Sequence, residues 1–150
     1  MAKKFKSLNF AAVVEDFAIR EAPELMTAVV LDATQETINI MNLPVAKGGK
    51  MRVDTGFLRA SGAVSFDALP SGPTRGLGRK DKDDKSLIYN APESYTSTLV
   101  GFQLGQKIYY GLTADYAEVR EMYDGFLDNA AQQWQQTVDK SVAKARKTRG

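Results

Sequence analysis

A helical stripe runs almost without a break from Asn9 to Met41, and it dictates more about the fold than any other part of the chain. Phe10, Val13, Val14 and Phe17 recur at spacings of three and four, and Met26, Val29, Val30, Ala33, Thr37, Ile40 and Met41 continue the pattern. Asn9 suits the N-cap. Pro23 either kinks this helix or opens a second one at its first turn, while Pro44 and Gly48-Gly49 end it. An apolar face this wide needs a cover, so the stripe reads as core rather than groove.

The remainder of the chain must supply that cover. Thr55 can cap a short helical turn through Leu58 to Ala60, and a strand is expected near Gly62 to Ala68, where Val64, Phe66 and Ala68 alternate with Ala63, Ser65 and Asp67. Thr96, Thr98, Val100, Phe102 and Leu104 alternate with Ser97, Leu99, Gly101, Gln103 and Gly105, which reads as a second strand. Gly105-Gln106 fits a two-residue hairpin turn, with Ile108, Tyr110 and Leu112 on the return strand. Ser86 to Asn90 is a further candidate, so the expected sheet has three to four antiparallel strands. Thr113 or Asp115 then caps a short helix through Met122. After Gly125 a terminal helix is expected from about Phe126 to Lys147, its stripe being Phe126 or Leu127, Ala130, Ala131, Trp134, Val138, Val142 and Ala145. Its glutamine-rich opposite face suits a protein contact and plain solvent equally. The expected class is α+β: long N- and C-terminal helices packed on a small antiparallel sheet.

Length allows one domain, residues 1–150, since a chain of this size can bury roughly 70% of its unfolded surface. Residues 69–86 read as a flexible loop: Pro70, Ser71, Gly72, Pro73, Gly76 and Gly78 precede a dense run of charge. Residues 1–8 and 146–150 are basic ends. Gly48-Gly49-Lys50 and Gly76-Leu77-Gly78-Arg79-Lys80 lack the strand-to-helix setting of a phosphate loop and read as linkers. The run Thr27 to Leu31 is far short of the ~20 apolar residues a membrane span needs. The first nine residues lack the apolar core of a signal peptide, so synthesis in the cytoplasm is expected.

Cysteine and histidine are both absent. Thiolate nucleophiles, disulfides, Cys/His zinc sites and a Ser-His-Asp triad are thereby excluded. The one dense acidic group, Asp81, Asp83 and Asp84, is interleaved with Lys80, Lys82 and Lys85 and reads as a solvated loop rather than a cation site. No catalytic residue, metal or cofactor is expected. Net charge is +2 but unevenly placed: residues 1–6 carry three lysines, residues 137–150 carry +4, and residues 7–136 carry −5. Basic ends on an acidic body suit an acidic neighbour or a phosphate backbone. A small nucleic-acid-binding module using the basic termini and Arg75, Arg79 and Lys80 of loop 75–85 is therefore the alternative reading.

Three short blocks carry more specific information. Thr55, Gly56, Leu58, Arg59 and Ser61 form the first; Tyr116, Ala117 and Glu121 the second; Phe126, Leu127 and Ala130 the third. In this order, behind a long N-terminal helix, the chain resembles the neck and tail-completion family of long-tailed bacteriophages from about residue 10 to 145. The family tends to place Gly two residues after the Glu, where Tyr123 stands here. The resemblance implies a non-enzymatic virion protein that joins head to tail through a homo-oligomeric ring, six-fold by expectation. Its implied neighbours are head-closure or connector proteins and tail-terminator or tail-tube proteins, with DNA passing through the ring lumen and no membrane involved. Thr55, Gly56, Arg59, Ser61, Arg75, Arg79, Lys80, Tyr116, Glu121 and Tyr123 are then the candidate subunit-interface residues, Arg59 and Glu121 a candidate pair.

Overall fold

In a computed structural model of the protein, residues 10–52, 57–70 and 95–149 are described. The chain opens with α1 (Phe10–Asp16), which passes through a π-helical turn (Phe17–Glu21) directly into α2 (Ala22–Asn42). Pro23 is the reason for the π turn. Proline has no N–H to give to the preceding turn, and the Ala22 N–H instead reaches back five residues to the Phe17 carbonyl. Of the two readings of Pro23, the structure shows a continuous helix with its register adjusted one turn ahead of the proline.

Leu43 leaves the helix in an extended conformation, and the chain then turns tightly through a short 3-10 segment (Val45–Lys47). Gly48 takes a left-handed φ of 90°, and a Cβ on Gly49 would fall on the Leu43 carbonyl. The turn is closed by Val45 N–H to Met51 O at 2.9 Å and Gly49 N–H to Pro44 O at 2.9 Å. Sequence reading made this segment a polar linker. It delivers Met51, fully buried, into the core.

Next come α3 (Phe57–Ala60), β1 (Gly62–Ser65), α4 (Thr96–Leu99), β2 (Tyr109–Leu112), α5 (Ala117–Asp124), α6 (Phe126–Gln132) and α7 (Trp134–Arg149). Among the described residues the sheet has two strands, β1 and β2, antiparallel with Gly62 opposite Leu112 and Ser65 opposite Tyr109. The expectation of three to four strands is therefore corrected. The segment read as a strand over 96–104 starts as a helical turn, and the candidate strand over 86–90 lies outside the described residues. β1 is also shorter than expected. The hairpin is absent as well: Gly105 does turn with a φ of 98°, but β2 pairs with β1 rather than with the segment before the turn.

The core has two centres. Met41, Met51, Leu58, Ala114, Phe126 and Ala130 form one; Ile38, Tyr95 and Leu99 form the other, backed by Val64, Phe66, Ile108 and Tyr110. The terminal helix is broken at Gln133 and lies against α2 through small or polar residues, with Ala130, Thr137 and Ser141 buried and Ala33 buried opposite. Val138 and Val142, expected on that face, flank it half-buried, while Trp134 and Ala131 are exposed. Small side chains let the helix axes approach closely, which a Val stripe would prevent. Ser141 donates to Asp32 at 2.8 Å and Lys144 to the same carboxylate at 2.7 Å.

Candidate subunit interface

β1 and β2 bring the first and second sequence blocks together. Ser61, just before β1, uses its Oγ to bond the Leu58 carbonyl at 2.6 Å, while its own carbonyl accepts from the Thr113 N–H at 3.1 Å and the Thr113 hydroxyl at 2.9 Å. This candidate is a structural knot between α3 and the end of β2. Tyr116 stands across from it, its ring 6.1 Å from that of Phe57 and its side chain part-exposed. Arg59 is half-buried, and its Nε, shut off from solvent, has no hydrogen-bond partner among the described residues. Thr55, Gly56, Arg75, Arg79 and Lys80 lie outside the described residues, as does the Asp81, Asp83, Asp84 group.

The second and third blocks meet at the corner between α5 and α6. The helix runs through Tyr123 to Asp124, and Gly125 then takes the left-handed turn (φ 65°, ψ 30°). Tyr123 is thus helical, and Gly125, two positions later, makes the turn. Glu121 reaches over it, its two carboxylate oxygens accepting from the Leu127 N–H at 2.8 Å and the Asp128 N–H at 3.0 Å. An acidic side chain on the first free amides of α6 satisfies donors that the helix cannot, and it also favours the helix dipole. Glu121 thus spends both oxygens inside its own chain.

Behind the corner, Asp124 is almost wholly buried and accepts a bidentate pair from Arg120, with contacts of 2.6 and 3.0 Å. Arg52 adds a longer contact of 3.8 Å. Sequence reading missed this anchor, although an Arg and an Asp four apart on a helix was a readable signal. On the outer side, Val119, Met122 and Tyr123 share a helix face and are all exposed, Met122 at 79% and Tyr123 at 78%. Three large apolar side chains are thereby presented to solvent from a backbone that an ion pair, a cap and a glycine turn hold still.

A third feature is polar and interior. Tyr110 packs edge-on against Tyr95, with ring centroids 5.5 Å apart, and the Asn42 amide donates to the Tyr110 hydroxyl at 3.1 Å. Burial pushes the Tyr110 phenol far above its usual range, the neighbouring Tyr95 hydroxyl adding to the shift and Asn42 opposing it. A Cβ at Gly62 would fall on both hydroxyls. The space between Gly62 and the two hydroxyls is filled, so the hydroxyls themselves are part of the core. Among the described residues there is no group of carboxylates placed to hold a metal ion, and no helix is long and apolar enough to cross a membrane. Compared with known protein families, curated proteins and solved structures, the chain matches none.

Proposed function

We propose that the chain is a structural subunit of a tailed-bacteriophage virion, a neck or tail-completion protein that joins the filled head to the tail by assembling in a ring. The resemblance of the three blocks supplies the family. The α5–α6 corner is the observation that carries the reading. Large exposed apolar side chains mark contact surfaces when they cluster and when the backbone beneath them is rigid. Val119, Met122 and Tyr123 meet both conditions. The chemistry is geometric: a subunit of this kind acts by fitting between neighbours, here its own copies together with head-closure or connector proteins and tail-terminator or tail-tube proteins, around a lumen that passes DNA.

Particles assembled without the chain test this directly. Filled heads beside loose tails are the expected defect, and tails that remain firmly attached would overturn the reading. Restoring the wild-type chain should recover joined particles, whereas Met122→Glu with Tyr123→Glu should not.

A further inference from the structure

The long helix and the terminal helix run antiparallel. Asp32 meets Ser141 and Lys144, while Met41, further along α2, shares a core with Ala130, which lies before α7. Moving back from Asp32 toward the N-terminus therefore moves toward the C-terminal end of α7. From Asp32 to Phe10 the helix covers about 33 Å, but from Lys144 to Arg149 only about 8 Å. The first turns thus overshoot the body by about 25 Å. Every residue from Ala11 to Glu21 is exposed. Val13, Val14 and Phe17 form one stripe on this arm, each at least half exposed.

The arm is also charged. Residues 10–24 hold four carboxylates (Glu15, Asp16, Glu21, Glu24) against Arg20, a net of −3. The complementary surface lies on the same chain but beyond the reach of the overshooting turns, residues 10–20. On α7, Lys140, Ala143 and Lys147 form one exposed row beside Arg146. Among the described residues, Lys140, Arg146 and Lys147 make no ion pair, in contrast to Lys144. Ala143 gives the row a shallow floor, and lysine stems on either side can cover apolar surface while their ammonium groups meet carboxylates. The continuous helix points the arm away from its own α7, so only another copy can bring the two surfaces together. Arm against arm would bring two acidic segments together. The α5 face offers the arm no cation, since Arg120 is already bound to Asp124.

We infer that the arm, residues 10–24, docks along the basic row of α7 on a second copy of this chain. This rests on the reading of the chain as an assembling subunit and names the contact it uses. The contact is head-to-tail: each copy offers an arm at one end and a row at another, so successive copies close a ring if the rotation permits.

The full-length Phe17→Cys, Ala143→Cys variant tests it. The chain has no native cysteine. Within one copy, position 17 lies about 22 Å along the helix from Asp32 and so far beyond disulfide reach of position 143. Mild oxidation should give a ladder of covalent multimers on a non-reducing gel, with neither single variant doing so. Dimers from Phe17→Cys alone would mean arm-to-arm pairing and would overturn the contact. Absence of a ladder overturns it too. If sedimentation still shows oligomers, the contact falls and the assembly reading stands; if it shows monomers that also fail to enter particles, both fall. As an independent check, Glu15→Lys with Glu21→Lys should weaken association about tenfold, as should Lys140→Glu with Lys147→Glu. Mixing the two variants should restore it. Loss of duplex DNA binding in the second variant, without a change in association, would assign the basic row to nucleic acid and overturn the docking.

Discussion

Ser141, 2% exposed, donates its hydroxyl to Asp32 at 2.8 Å, a bond that spans 109 residues of sequence and joins the first helix of the body to the last. It is the polar centre of an interface otherwise made of small side chains, and removing either partner leaves the other with an unmet need. Asp32→Ala should cost about 1–3 kcal/mol in a denaturant titration, because a buried hydroxyl loses its acceptor and Lys144 its partner. Ser141→Ala should cost less.

Acid should expose the same bond. The Lys144 ammonium, with Ser141 in support, holds the Asp32 carboxyl below its usual range. A depressed folded-state pKa means that the stabilisation is complete above the unfolded value, about 4, and is lost as the pH falls through the lower folded value. The stability of wild type should therefore fall more steeply below pH 4 than that of Asp32→Asn, as measured by unfolding at a series of acidic pH values.

Base should act through Tyr110. Its raised pKa means that the folded state keeps a neutral phenol where the unfolded chain ionises, so the contribution is complete below about pH 10 and is lost above it. Tyrosinate absorbance for this residue should appear only together with unfolding. Its neighbour Gly62 makes a sharper test. Gly62→Ala drives a methyl into two hydroxyls and should cost about 1–3 kcal/mol. Tyr95→Phe removes one of those oxygens, which has no hydrogen-bond partner of good geometry. It should be near neutral alone and should recover part of the loss in the double variant.

Glu121→Ala should destabilise by about 0.5–2 kcal/mol, the range for a lost helix cap. Hydrogen exchange should locate the effect, with the amides of Leu127 and Asp128 losing protection first. Met122→Ser with Tyr123→Ser should leave the unfolding free energy unchanged within about 0.5 kcal/mol, because both side chains are in solvent. Assembly into particles should nevertheless fail, which separates a contact role from a structural one.

The helical skeleton was legible because a 3.6-residue period persists from Phe10 to Met41, long enough to outweigh Pro23. The sheet was not, and Tyr95, Leu99 and Phe102 show why. These three are buried, at helical spacings of four and three, while Val100 on the expected strand face is 74% exposed. Threonines and valine in alternation suggested a strand, and a one-turn helix satisfies the same residues with a different period. The terminal stripe was displaced by one position for a related reason: Thr137 and Ser141 look solvent-facing, but their hydroxyls find partners in Gln133 and Asp32. Of the candidate interface, Tyr123 emerged as a surface group, whereas Ser61 and Glu121 turned out to be committed inside the fold. Carboxylates and hydroxyls that close turns cannot be told from surface ones without knowing where the chain bends.

The π turn ahead of Pro23 has a mechanical side. A helix with a missing donor is softest at that step, and here the step lies between the buried body and a lever of a dozen residues, about 18 Å long. Tilting the lever by a few degrees sweeps its tip through distances comparable to a side chain, while Met51 and its neighbours stay where they are. In an assembly of the kind proposed, one sequence could thereby meet neighbours set at slightly different angles without repacking its interior.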